Sequence, residues 1–383
     1  MTPLTVVLFA VGVVALVGGA EALVRGAARL AARTGMSPIV IGLTVVAFGT
    51  SAPELAVSVG ATFADEADIA LGNVVGSNIA NVLLVLGLSA LVGGSLAVAQ
   101  RIVRIDVPIV IGVSVLVLVL GLNGTIGRGE GLVLLALLAV YLVWTVLGAI
   151  RDSSTSIVVE YAEALRHEKL RATSPFTDVG FVLGGLALLV VGSQALVVAA
   201  TDIAESLGVS QLVIGLTVVA VGTSLPEIAT SILAAARGER DIAVGNAIGS
   251  NLFNLLAVLG VTAMVAPSGI PIPDGALTID LPVMIAASVA CLPLFFTGYA
   301  LDRWEGAVFL AFYGAYLAWL VLDATDHPLR TGYGAAMIGF LVPLTLITFA
   351  VLFGREWRRR SVRRAADDPV GEPAGDASVD ERA

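Results

Sequence analysis

Gly42-Leu-Thr-Val-Val-Ala-Phe-Gly-Thr-Ser-Ala-Pro-Glu-Leu55 returns later in the chain as Gly215-Leu-Thr-Val-Val-Ala-Val-Gly-Thr-Ser-Leu-Pro-Glu-Ile228, identical at 11 of 14 positions. At the same offset of 173, Gly72-Asn-Val-Val-Gly-Ser-Asn-Ile-Ala-Asn81 returns as Gly245-Asn-Ala-Ile-Gly-Ser-Asn-Leu-Phe-Asn254, matching at 6 of 10. Weaker echoes flank them: Ile105-Asp-Val-Pro108 beside Ile279-Asp-Leu-Pro282, and Glu130, Tyr141 and Trp144 beside Glu305, Tyr316 and Trp319. The chain is an internal duplication.

The doubled stretches sit in an apolar background. Of 383 residues, 57% are hydrophobic and 13% charged, and the mean hydropathy is +0.97. An average soluble domain carries about 25% charged residues. A soluble globule of this composition would expose large apolar patches, which excludes a soluble enzyme, a disordered protein and a nucleic-acid binder. Val107–Leu122 and Leu132–Ile150 contain no charged side chain. Apolar runs of about 18 residues or more span a bilayer as helices. Read against Gly, Pro and charge, the runs predict eleven helices, near 3–24, 37–60, 69–93, 105–122, 130–150, 177–200, 211–235, 242–266, 278–298, 304–323 and 333–354.

The fold class is therefore an all-α polytopic membrane protein of about 11 transmembrane helices. Two five-helix repeats, 1–150 and 174–323, flank a cytoplasmic linker, 151–173. An extra helix within 324–354 and a disordered cytoplasmic tail, 355–383, complete the chain. The first apolar stretch, Leu4–Ala22, lacks a basic leader and a cleavage site, and reads as a retained span. The lone Cys291 reads as a small core residue. An outside N-terminus and a cytoplasmic C-terminus put 19 of the 21 basic residues inside, with only Arg128 and Arg330 outside. That orientation belongs to a multi-pass protein of the cell membrane. Five helices is an odd number, so the second copy enters from the opposite face. Inverted repeats with Gly- and Pro-interrupted segments at matching positions are a signature of secondary transporters, whose sites lie at the repeat interface.

Glu54 and Glu227 occupy equivalent positions about two-thirds along their spans. A carboxylate at membrane depth costs about 2.5–3.5 kcal/mol even on lenient scales, and no Lys or Arg lies at similar depth to neutralise either one. The neighbours supply the rest of a cation cage. Pro53 and Pro226 lack an amide hydrogen and free carbonyls upstream, with Ala47 and Ala220 as candidates. Thr50 and Thr223 stand four residues before their glutamates, on the same helix face. Asn73, Ser77 and Asn81 form a polar stripe that Asn246, Ser250 and Asn254 repeat, and Gly72, Gly76, Gly245 and Gly249 permit close helix approach. An all-oxygen set suits hard cations and argues against zinc or copper. Two carboxylates balance one Ca²⁺ or two Na⁺, so competition for the same oxygens makes an exchanger. Lys169 is the only lysine and lies in no Walker A loop, so the energy comes from a gradient. Asp106 and Asp280, near helix starts, read as charge–dipole partners, and Glu21 with Arg25 as an interfacial ion pair.

The paired Gly-Thr-Ser-x-Pro-Glu and Gly-Ser-Asn-x-x-Asn segments resemble the α-repeats of the sodium/calcium exchanger family, within the cation/Ca²⁺ antiporters. The resemblance covers ten helices, about residues 1–323. It implies that Glu54 and Glu227 bind Ca²⁺ and share in Na⁺ binding. It implies flanking Na⁺ ligands at Thr50, Thr223, Ser77, Ser250 and the carbonyls of Ala47 and Ala220. Asn81 and Asn254 match the central polar pair, where many relatives carry Asp at the second position. The first and sixth helices match gates that slide across a fixed core. No cofactor is implied: Ca²⁺ and Na⁺ are transported substrates, the lipid bilayer is the surrounding partner, and nucleic acid is not one. A Na⁺/Ca²⁺ antiporter is the leading expectation. A Ca²⁺/H⁺ antiporter is the alternative, although that branch carries Gly-Asn-Ala before the glutamate, and a passive cation channel ranks lower.

Overall fold

Inside hydrocarbon a backbone has no water to bond, so every amide and carbonyl must pair within its own segment. The apolar runs accordingly fold as helices in the computed structural model. It describes residues 2–34, 36–64, 67–152, 174–207, 220–296 and 299–336, together with residues 350 and 354. The linker, the stretch 208–219, most of the expected eleventh helix and the tail lie outside the described residues.

In chain order the helices are α1 (Pro3–Thr34), α2 (Pro38–Phe63), α3 (Ile69–Gly93), α4 (Ile102–Gly121), α5 (Arg128–Ala149) and α6 (Pro175–Ser206). There follow α7 (Leu225–Ala236), α8 (Arg240–Val265), α9 (Ala276–Leu292), α10 (Arg303–Ala324) and α11 (Arg330–Ala336). A single turn, Ala220–Thr223, precedes α7. Among the described residues eight helices are long and apolar enough to cross a membrane; α7 and α9 are shorter apolar helices.

Helix fills the described part of each expected span, but α1 and α6 run well past theirs, to 32 residues each. The arginines that end the apolar run of α1 do not end the helix, because they are paired. Arg33 bonds Asp178 in the first turn of α6, and Arg29 reaches the same carboxylate at 3.7 Å. The Ser174 hydroxyl caps α6 by accepting from the Phe176 amide at 3.1 Å. At the opposite end of the pair, Thr5 donates to Asp202 at 3.0 Å.

Between those ends α1 and α6 pack backbone to backbone. A Cβ added at Gly19 would stand 2.8 Å from the Gly185 carbonyl, and one at Gly185 2.6 Å from the Leu23 amide. Only glycine fits at either point. α8 packs along the first half of α2 in the same way, where a Cβ on Gly249 would meet Leu43 Cα at 2.8 Å. Gly245 and Gly249 thus serve close approach, as their spacing predicts. The stretch that the duplication sets against Gly72 and Gly76 lies outside the described residues.

The loops pair as short antiparallel strands between the two copies. β1 (Leu96–Ala97) pairs with β4 (Ala300–Leu301), and β2 (Thr125–Ile126) with β3 (Ile270–Pro271). Asp106 and Asp280 lie in the first turns of α4 and α9, near helix starts as expected, and each also has a side-chain partner. Each is bound by a tyrosine of the next helix, Tyr141 to Asp106 and Tyr316 to Asp280, both at 3.1 Å. A carboxylate withdrawn from water, fully at Asp106 and partly at Asp280, needs a donor, and the tyrosine thirty-five or thirty-six residues on supplies it. Arg101 adds a second tie to Asp106 at 3.5 Å. Cys291 is fully buried, as expected of a core residue.

Candidate functional site

The helices carrying the doubled motifs are interrupted where the motifs fall. α2 contains a π-helical turn at Gly42–Val46, one helical turn at Ala47–Thr50, a break at Ser51 and then α-helix from Ala52. Ser51 has φ −80° and ψ 3°, and Ser224 matches it with φ −84° and ψ 4° before α7. Pro53 and Pro226 sit in the first turns after these breaks, where a missing amide hydrogen is tolerated. Asn81 and Asn254 each open a π-helical turn, Asn81–Val85 and Asn254–Val258. Such turns concentrate at functional sites because they re-aim one side chain without ending the helix.

Glu54 and Glu227 are fully buried, and so are Ala47, Thr50, Ser250, Asn81 and Asn254, with Ser77 at 1% exposure. Thr223 is half-buried, and Ala220 opens the turn before α7. The two carboxylates lie within each other's electrostatic field. Neither glutamate forms an ion pair among the described residues. Ser77 donates to Glu54 Oε1 at a long 3.5 Å, with Ser224 also beside that carboxylate. Thr50, Ser51 and Ser250 surround Glu227, outside hydrogen-bonding geometry.

Two sequence expectations need correction. Thr50 and Glu54 do not share one continuous helix face, because the break at Ser51 re-aims Thr50. Its hydroxyl donates to Asn246 of α8 at 3.0 Å and lies 3.3 Å from Ser250, beside the glutamate of the other copy. Thr223 likewise reaches Asn73 of α3 at 3.2 Å. Nor does Pro53 free the Ala47 carbonyl, since the amide it lacks would point to Gly49, four residues back. The Ala47 carbonyl accepts from the Ser51 amide at 3.0 Å. In the second copy the Ser224 amide donates to Val221, one residue short of Ala220.

Oxygen is what these groups present. Glu54 Oε2, both Glu227 oxygens, the Ser51 and Ser224 hydroxyls, and the amide oxygens of Asn81 and Asn254 have no hydrogen-bond partner among the described residues. All are buried, and each has its counterpart 173 residues away. Buried polar groups are ordinarily paired. Orphans of this kind around two uncompensated carboxylates fit a hard cation, whose charge and coordination satisfy both deficits. Ser51 and Ser224 were absent from the expected ligand set, as were Ser58 and Ser231, which bond Asn73 and Asn246 at 3.0 and 2.9 Å. Their signal was available: Ser58 and Ser231 stand four residues after each glutamate, at the same offset.

The family model described as sodium/calcium exchanger protein matches residues 4–147 and 177–322. The chain belongs to the sodium/calcium exchanger family. Within that family it is similar to the sodium/calcium exchanger MaX1 of Methanosarcina acetivorans, 33% identical over 337 residues, covering 80% of this chain and 95% of MaX1. It also resembles the inner membrane protein YrbG of Escherichia coli, at 39% identity over 75% of this chain and 87% of YrbG. Among solved structures, the sodium-calcium exchanger NCX_Mj, soaked with zero Na⁺ and Ca²⁺, superimposes with a TM-score of 0.71 at 32% identity, over 84% of this chain and 100% of its own. As a sodium/calcium exchanger family member the chain is an integral, multi-pass membrane protein of the cation/Ca²⁺ antiporter type.

Proposed function

We propose that this chain is a secondary active Na⁺/Ca²⁺ antiporter working by alternating access, with its ion site between two inverted five-helix repeats. The observation that carries the reading is the Glu54–Glu227 pair, buried without a counter-charge and ringed by unpartnered oxygens. Ca²⁺ and Na⁺ compete for the oxygens of this site, partnered and unpartnered alike: the two carboxylates, Thr50, Thr223, Ser77, Ser250, Asn81, Asn254 and the carbonyls of Ala47 and Ala220. In this reading eleven helices cross the cell membrane from an outside N-terminus to a cytoplasmic C-terminus. Residues 1–150 and 174–323 are the repeats, 151–173 the linker, 324–354 the extra helix and 355–383 the tail.

Departures from the duplication's symmetry support alternating access. α1 packs on α7, and Glu21 of α1 pairs with Arg237 at the end of α7 as well as with Arg25. The equivalent positions in the other copy are Gln194 and Ala64, which cannot form that ion pair. Around Glu54, Asn73 and Thr223 are half-buried, whereas Asn246 and Thr50 around Glu227 are fully enclosed. With the N-terminus outside, the α1–α7 ion pair falls at the cytoplasmic end and the less enclosed half of the site is the one around Glu54, the asymmetry expected of an outward-facing carrier.

Purified protein in proteoliposomes, given Na⁺, H⁺ and K⁺ gradients separately, tests the reading. Ca²⁺ uptake driven by an outward-directed Na⁺ gradient is expected. Uptake driven by a pH step without Na⁺ makes the chain a Ca²⁺/H⁺ antiporter, and uptake without any counter-ion movement makes it a channel.

A further inference from the structure

We propose that Asn73 and Asn246 are positioning residues that lock each glutamate to the threonine of the opposite copy, an inference that rests on Glu54 and Glu227 being the cation ligands. A carboxamide has two hydrogens to donate and one oxygen to accept with. Asn73 Nδ2 donates to the backbone carbonyl of Glu54 at 3.1 Å and to Ser58 Oγ at 3.0 Å, while its Oδ1 accepts from Thr223 Oγ1 at 3.2 Å. Asn246 repeats the pattern on the other side. Its Nδ2 donates to the Glu227 carbonyl at 3.4 Å and to Ser231 Oγ at 2.9 Å, and its Oδ1 accepts from Thr50 Oγ1 at 3.0 Å. Ser231 in turn donates to the Ala243 carbonyl at 3.2 Å, anchoring the chain of bonds in α8.

The orientation of both amides is forced. A backbone carbonyl only accepts, so the nitrogen must face the glutamate and the oxygen the threonine. Each threonine donates to the asparagine, so its hydrogen does not face a cation. Each asparagine has both hydrogens and its oxygen engaged, so it acts through the glutamate and the threonine. The wiring is crossed: Thr50 answers to Asn246, and Thr223 to Asn73. Moving one glutamate's helix therefore disturbs a ligand from the other copy, which couples the two halves of the site.

The test measures Ca²⁺ affinity by calorimetry on detergent-solubilised full-length protein, and KM against kcat for ⁴⁵Ca²⁺ uptake in proteoliposomes. Asn246→Ala is expected to weaken Ca²⁺ binding by about 10- to 100-fold, the usual range for groups that orient ligands, and to act chiefly on KM. In a double-mutant cycle, Asn246→Ala and Thr50→Val are expected to be non-additive, whereas Asn73→Ala and Thr50→Val add. Asn246→Asp separates positioning from ligation. Aspartate can accept from Thr50 but has no hydrogen for the Glu227 carbonyl, so Ca²⁺ binding is expected to weaken; a direct ligand would bind Ca²⁺ as well or better as aspartate. Wild-type affinity in Asn246→Asp, or additivity of Asn246 with Thr50, overturns the proposal. Should Asn246→Ala not fold, the isosteric aspartate variant and the Asn73–Thr223 cycle decide it by the same criteria. A wild-type protein that binds and moves no Ca²⁺ overturns the functional reading itself, an outcome distinct from an active wild type with additive variants.

Discussion

A buried carboxylate without a counter-charge is unstable on its own, and two within each other's field are worse. Glu54 and Glu227 are such a pair, and their surroundings are hydroxyls and amides instead of arginine or lysine. Removing one charge while keeping the shape isolates the role of that charge. Glu54→Gln and Glu227→Gln are each expected to abolish Ca²⁺ uptake in proteoliposomes while leaving the thermal unfolding temperature in detergent unchanged or raised. Wild-type flux in both variants would sink the site assignment. The glutamates themselves were legible without a structure, because the apolar background makes any carboxylate at that depth conspicuous. The cross-copy destinations of Thr50 and Thr223 were not. Four-residue spacing assigns them to their own glutamates only if the helix is continuous, and the breaks at Ser51 and Ser224 make it discontinuous.

Helices α1 and α6 behave as one element made of two chains of backbone. Glycines let them touch, and polar ties at both ends, Arg29 and Arg33 to Asp178 and Thr5 to Asp202, stop them sliding apart. Gly19→Leu is expected to lower the thermal unfolding temperature measurably, since forcing a side chain into a packed contact costs about 1–3 kcal/mol. Gly18→Leu is the control, because nothing lies within 4 Å of a Cβ there. Equal unfolding temperatures for the two variants would argue against the packing. The tyrosine clasps are smaller in effect. Tyr141→Phe and Tyr316→Phe remove one interhelical hydrogen bond each, worth about 0.6 kcal/mol in membrane proteins, and the loss is readable in chemical unfolding. The ends of α1 and α6 were misread because a charged residue resembles a stop signal until its partner, about 150 residues away in the chain, is known.

At the scale of the whole molecule the duplication is symmetric in its motifs and asymmetric in the contacts around them. Glu21 and Arg237 join α1 to α7, and their side chains are 23% and 39% exposed. A partly exposed pair contributes only about 0.2–1 kcal/mol, enough to bias an equilibrium between two faces without fixing it. Arg237→Gln is therefore expected to raise amide hydrogen exchange by about 1.4- to fivefold in the second half of α1 and the last turn of α7. Unchanged exchange would mean that the ion pair has no part in docking α1. The amino-acid sequence by itself determined the membrane class, the duplication and the approximate place of the described helices, and singled out the two glutamates, because composition and periodicity are properties of the chain read in order. Which threonine faces which glutamate, how far α1 and α6 extend, and which half of the site is enclosed were decided only by the tertiary structure. Those depend on side chains 145 to 200 residues apart meeting through space, and no local pattern encodes a partner at that distance.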